Sequence, residues 1–313
     1  MKLFLLSKEN LDLAKQEVLS LTNQDPRNEQ HDNLLVAATN KNLSKRLAYT
    51  KAIYKFLFAV KPPELEETIE RFPWNTIYKD DFCVRGFNLS IEDEKLANQI
   101  WPHLEHPKTN LTNPKTTIHF FKTKKRIVAG LLQNQLKDDF ESRKAHNRPV
   151  NHPTSLHPKL ARCMINLTGI EKGTIVDPFC GSGGILLEAS LLNLEPIGYD
   201  TEKTMIQAAK TNLAHFKTEA QLINKDALTI TTKFPYIATD LPYAVNSRSQ
   251  DLKALYTAFI KRLDRILTKR AVIGFPHFFG YNSLLEKTDL KITHVFKYYL
   301  HKNLSKHILI IEK

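Results

Sequence analysis

In the second half of the chain, short apolar runs alternate with longer amphipathic stretches. TIVDPF (174–179), EPIGYD (195–200), AQLINKDA (220–227), YIATDLPY (236–243) and RAVIGFP (270–276) read as strands. Between them, HPKLARCMINLTGI (157–170), GILLEASLLN (184–193), EKTMIQAAKTNLAHF (202–216) and QDLKALYTAFIKRLDRIL (250–267) carry the helical period. Five strands with helical crossovers predict a parallel, doubly wound sheet. LKITHVFKYYL (290–300) and SKHILIIEK (305–313) add an antiparallel terminal hairpin.

The first half is less regular. KLFLL (2–6) reads as a strand and ENLDLAKQEVLSL (9–21) as a helix with Leu11, Ala14, Val18 and Leu21 on one face. NLLVAAT (33–39) follows as a strand and SKRLAYTKAIYKFLFAV (44–60) as a second helix, stopped by Pro62 and Pro63. Beyond it, ELEETIERF and EDEKLANQIWPHL read as helices, FCVRGFNL as a strand and NPKTTIHFFKTKKRIVAGLLQ (113–133) as a hairpin across a basic turn. Residues 137–153 are charged, Pro-broken and aperiodic, which predicts a linker. The expected division is an N-terminal segment over 1–60, a second α+β unit over 61–136, the linker over 137–153 and the parallel-sheet domain over 154–313.

Charge narrows the partners. Lys and Arg outnumber Asp and Glu by 24 to 19 before residue 150 and by 21 to 14 after it, giving a net charge of +12 spread over both halves. Such an excess suits a polyanion. No apolar run reaches the ~18 residues of a membrane span, and the start carries no signal-peptide pattern. Cys83, Cys163 and Cys180 are odd in number and far apart, which predicts neither disulfides nor a zinc site and suits the cytoplasm. His152 and His157 have no partners at metal spacing, so no metal is expected.

The first strand of the parallel sheet runs into DPFCGSGG (177–184), where Gly181, Gly183 and Gly184 allow a tight turn before a helix. A dinucleotide fingerprint needs glycine at 186, where Leu186 stands, and the Lys of a P-loop is absent. Asp177, Asp200 and Asp226 instead close successive strands. Carboxylates there repel a pyrophosphate but suit a cationic ligand with a ribose and an adenine, the description of S-adenosylmethionine. Asp240 closes the fourth strand on the same cleft, followed by Leu241, Pro242 and Tyr243. A carboxylate and the Leu241 carbonyl can both accept N–H bonds from a base amine, making its nitrogen electron-rich. Tyr243 can stack on the base.

DPFCGSGGILLEA and TDLPY resemble motifs I and IV of class I amino-methyltransferases of the (Asp/Asn)-Pro-Pro-(Tyr/Phe) type. With the N-terminal layout, they make nearly the whole chain similar to the archaeal tRNA guanosine-10 N2-methyltransferases. That resemblance implies a Rossmann-like sheet preceded by a ferredoxin-like segment and a THUMP domain, with tRNA as partner. It sets Phe179, Cys180, Gly181, Ser182 and Gly183 around the methionine part of the cofactor, with Asp177 opening the turn. It also sets Asp200 on the ribose, Asp226 on the adenine, Asp240 and the Leu241 carbonyl on the target amine, and Tyr243 under the base. Leu241 departs from the commoner proline and leaves the loop less rigid.

Candidate RNA contacts lie in three basic stretches. FFKTKKR holds Lys122, Lys124, Lys125 and Arg126, ESRKAHNR holds Arg143 and Arg148, and YYLHKNLSKH lies near the C-terminus. Three rivals stand beside guanosine-10 methylation: N6-adenine methylation, methylation of another tRNA guanosine such as position 6, and an inactive RNA-binding relative. Whether an activating protein partner or self-association is needed stays open at this level.

Overall fold

The computed structural model describes residues 1–22, 27–152, 155–242, 249–277, 280–286, 288–301 and 304–313. The chain forms two compact units. One comprises Met1–Leu11, Thr22–Ser44 and Thr50–Lys137, the other Asp12–Leu21, Lys45–Tyr49 and Asp138–Lys313.

The first unit is built on a mixed seven-stranded sheet. Its strands are β1 (Lys2–Leu6), β2 (Glu29–His31), β3 (Leu34–Ala37), β4 (Thr50–Val60), β5 (Phe82–Phe87), β6 (Thr116–Lys122) and β7 (Ile127–Gln135), in the order β2-β3-β1-β4-β7-β6-β5. Two helices, Leu65–Arg71 and Asp93–Ile100, bury Leu65, Ile69, Leu96 and Ile100 in a core with Trp74, Phe82 and Phe120.

The run 44–60 is not a helix. Residues 50–60 form β4, paired antiparallel with β1 on one side and β7 on the other. Its Thr50, Ile53, Tyr54, Phe56, Phe58 and Val60 are β-branched or aromatic, residues that fit a pleated surface packed on both faces. Strands from 1–60 and from 61–136 therefore share one sheet, and the joint read at residue 60 falls at the end of β4 within it.

The second unit follows the predicted alternation. Its strands are β8 (Thr174–Asp177), β9 (Glu195–Asp200), β10 (Gln221–Asn224), β11 (Phe234–Asp240), β12 (Leu267–Pro276), β13 (Lys291–His301) and β14 (Leu304–Glu312), in the order β10-β9-β8-β11-β12-β14-β13. β10, β9, β8, β11 and β12 pair in parallel, while β14 and β13 add the antiparallel edge. Strand order reverses between β8 and β11, and ligands bind outside the carboxyl ends of strands at such a point. Helices Pro158–Leu167, Gly184–Leu191, Lys203–His215 and Ser249–Ile266 cover the sheet, and Tyr256, Phe259, Leu263 and Phe275 anchor a core between them.

Two early segments belong to this second unit. The helix Leu11–Leu21 carries a fully buried Glu17 whose carboxylate accepts from the Ala48 and Tyr49 amides, both at 2.8 Å, and from Asn166 Nδ2 at 2.7 Å. Burial pushes the Glu17 carboxyl up, against the pull of those donors. The 137–153 stretch also differs from a linker: from Asp138 onward it packs into the second unit. Among the described residues no helix is long and apolar enough to cross a membrane.

Candidate active site

A cavity of about 410 Å³ opens at the carboxyl ends of β8, β9 and β11. Of the predicted cofactor residues, Asp177, Phe179, Cys180, Gly181, Ser182, Asp200 and Asp226 line it, and of the predicted catalytic ones, Asp240, Leu241 and Pro242. Tyr243 lies outside the described residues. Gly183 does not line the cavity but makes it possible. Its φ of +86° is left-handed, and a Cβ there would sit 3.1 Å from the Ala209 Cβ, so glycine lets the turn close against the next helix.

The three carboxylates around the glycine turn are each held by uncharged donors. Asp200 accepts from the Gly181 amide at 2.9 Å and the Glu202 amide at 2.8 Å. Asp226 caps a short 3₁₀ turn through the Leu228 amide at 2.8 Å. Asp177 accepts from Thr239 Oγ1 at 2.6 Å and the Phe179 amide at 3.1 Å. Burial raises Asp177 to about 7, because those donors offset only part of the desolvation and Asp240 and Asp200 add like charge. Burial likewise pushes the Cys180 thiol far up, so it stays protonated and packs as an apolar group.

Asp240 is held differently. Lys306 on β14 places its Nζ 2.8 Å from Oδ1 and 2.7 Å from Oδ2, and only 3% of the lysine is exposed. Burial raises the Asp240 carboxyl and the ammonium lowers it. Gly274 on β12 pairs with Asp240, and a Cβ there would lie 2.2 Å from Oδ1, so only glycine leaves room for the carboxylate. Leu241 is wholly buried and its amide donates to the Gly274 carbonyl at 3.1 Å. No hydrogen bond among the described residues occupies the Leu241 carbonyl. Tyr256 Oη donates to the Pro242 carbonyl at 2.7 Å, fixing the turn from behind.

The lining fits S-adenosylmethionine. Asp177, Asp200, Glu202 and Asp226 give an acidic wall for a cationic ligand, Phe179, Met205 and Leu255 give apolar surface for a purine, and no Lys or Arg among the described residues lines the cavity. His152, Ser155, Glu202 and Met205 join the site without a sequence signal that marked them. No group of three or more His, Cys, Asp or Glu among the described residues is arranged for a metal.

The basic candidates divide. Lys122, Lys124 and Lys125 are exposed at the β6–β7 turn of the first unit, while Arg126 is half-buried and donates to the Ala59 carbonyl at 3.0 Å. Arg143 and Arg148 are corrected: both are buried in the second unit and unavailable to a phosphate. Arg143 Nε meets Glu188 Oε1 at 2.7 Å and its NH2 meets Asp138 Oδ1 at 2.8 Å, while Arg162 NH2 closes the network on Glu188 Oε2 at 2.8 Å. Arg148 Nε donates to the Arg143 carbonyl at 2.8 Å, and its terminal nitrogens lie against Gly184. The third basic stretch falls partly outside the described residues, and within it Lys306 does not line the cavity but is buried against the Asp240 carboxylate.

Comparison with known proteins agrees with this geometry. A family model described as an RMKL-like methyltransferase domain matches residues 145–306, and one described as a DNA methylase of the N6/N4 class matches residues 8–211. The tRNA (guanine(10)-N2)-dimethyltransferase of Methanothermobacter thermautotrophicus is 31% identical, over 88% of this chain and 86% of its own length. The protein of the same name from Pyrococcus abyssi is 30% identical over 80% and 79%. The crystal structure of TrmN from Thermus thermophilus superposes with a TM-score of 0.50 at 17% identity, covering 100% of this chain and 99% of that one.

Proposed function

The chain belongs to the tRNA (guanine(10)-N2)-dimethyltransferase family and carries an RMKL-like methyltransferase domain, and from that premise we propose that it methylates the exocyclic N2 of guanosine 10 in tRNA. S-adenosylmethionine, the cofactor, supplies an electrophilic methyl carbon. The observation that carries the reading is the position of Asp240: it closes β11 on the cavity that the glycine turn, Asp200 and Asp226 also line. In this reading Asp200 and Asp226 take the ribose and adenine, and the turn from Phe179 to Gly183 takes the methionine part.

The Asp240 carboxylate and the Leu241 carbonyl accept the two N–H bonds of guanine N2. As the methyl bonds to N2 and its bond to the cofactor sulfur breaks, leaving that sulfur a neutral thioether, the nitrogen becomes cationic, and the Asp240 carboxylate accepts the proton it sheds. The apolar lining limits water around the amine. Tyr243, outside the described residues, would stack under the base.

Residues 1–136 hold the RNA in this proposal, as a ferredoxin-like and THUMP-like module, with Lys122, Lys124 and Lys125 on its phosphates. What supports it is their exposure at one hairpin turn. The expected compartment is the cytoplasm, where tRNA is modified.

Mass-spectrometric mapping of nucleosides in bulk tRNA, after incubation with labelled cofactor, tests the reading. Label on N2 of guanosine 10 is the expected result. Label on adenine N6, the rival that the DNA-methylase match keeps in view, overturns it, and label at another guanosine overturns the position alone.

A further inference from the structure

We propose that Lys306 is a positioning residue for the methyl transfer: it clamps Asp240 through both carboxylate oxygens and keeps it ionised, so that Asp240 meets a neutral amine as an acceptor only. This deepens the reading of Asp240 above and rests on it.

The clamp is built into the sheet. Asp240 ends β11 and pairs with Gly274 on β12, and Gly274 pairs in turn with Ile308 on β14. Lys306, two residues before Ile308, pairs with Pro276. Its side chain therefore reaches back across β12 to the Asp240 carboxylate, which itself leans over β12 into the space that a Cβ at Gly274 would fill. The two contacts of 2.8 and 2.7 Å are a charge-assisted pair, with the lysine side chain 4% and the Asp240 side chain 13% exposed.

A carboxylate has about four lone-pair sites. An ammonium on two of them leaves the remaining ones for the substrate N–H and fixes the plane of the group. Burial pushes Asp240 towards protonation, and a protonated Asp240 would donate a hydrogen bond where the amine also donates. Among the described residues, the ionisable groups that act on Asp240 or feel its charge are Asp177 on β8, Tyr256 on the helix Ser249–Ile266 and Lys306 on β14.

The test is the pH dependence of single-turnover methylation of tRNA by Lys306→Met, Lys306→Arg and the double variant Asp240→Asn with Lys306→Met. For Lys306→Met the rate at pH 7 is expected to fall about tenfold or more and to recover towards pH 9, as Asp240 without its cation ionises later. Cofactor affinity should stay within a few-fold, and Lys306→Arg should restore the wild-type profile. In the Asp240→Asn background, removing Lys306 should change the rate less than about twofold. A Lys306→Met profile superimposable on wild type overturns the inference, as does a loss of the same size at every pH. If Lys306→Met does not fold, the double variant decides: a loss of about tenfold or more relative to Asp240→Asn alone overturns it. Full activity of Asp240→Ala would sink the site reading itself, whereas an inactive Asp240→Ala beside an unaffected Lys306→Met sinks the role of Lys306 alone.

Discussion

The two ends of the cavity satisfy their carboxylates in opposite ways. Around the glycine turn, Asp177, Asp200 and Asp226 are held by backbone amides and one hydroxyl, donors that carry no net charge. At the β11 end, Asp240 is held by an ammonium. Neutral donors stabilise a carboxylate and leave its charge in place, so the first end remains an attractor for a cation. A buried ion pair is neutral as a unit, so the second end offers acceptors without a field that would favour a charged amine. In the proposed reading, one cavity thereby sorts a sulfonium from a neutral base amine by electrostatics, before shape is considered.

The strongest break in that comparison is Asp240→Ala. Methyl transfer should fall by about 10²- to 10⁴-fold, the range for losing a general base or a preorganised hydrogen-bonding group, while calorimetry should find cofactor affinity within a few-fold of wild type. Gly274→Ala should come next, because the new Cβ displaces the carboxylate without removing it. A displacement of about 1 Å can cost 10²-fold in rate, and rapid-quench kinetics would measure it. Asp200→Ala touches the other end: cofactor binding should weaken about 10- to 100-fold, in line with a hydrogen bond to a charged group, with the loss appearing in Kd ahead of the rate at saturation.

The smallest effect is one of pH. Asp177 titrates near 7, so below that pH it carries a proton and the cofactor end loses one negative charge. Cofactor affinity should therefore weaken several-fold as pH falls from 8 to 6, and Asp177→Asn should flatten that slope.

The cofactor end was legible in the sequence because its chemistry sits in contiguous stretches. A strand, a glycine turn and an acid at each strand end can be read without knowing which strands are neighbours. Lys306 was not legible, because it meets Asp240 across 66 residues through a strand that returns antiparallel. A trace existed: Lys306 shares its alternation with Ile308 and Ile310, both buried, so a cation stood in an apolar register. The same holds for Arg143, which reads as a solvated charge in a Pro-broken stretch until Glu188 is placed. Glu188, alone in the apolar helix Gly184–Leu191, was the signal that a buried cation had to exist. Removing it from the pair should cost about 3–5 kcal/mol of stability, read by urea unfolding of Arg143→Met, with no change in tRNA affinity. The misread run 44–60 had a different cause: its basic start, Lys45-Arg46-Leu47-Ala48, carries helix propensity, and the pairing of residues 50–60 with two neighbouring strands overrides it.

The buried Glu17 has a consequence for how the molecule is made. The ribosome delivers its helix first, the Ala48 and Tyr49 amides next and Asn166 only 149 residues later. Until Asn166 emerges, the helix has an acid in its apolar face with part of its partners still unsynthesised. The catalytic unit is thus the last to close during translation although it owns some of the earliest residues, and as a unit of inheritance it cannot be exchanged by a single crossover.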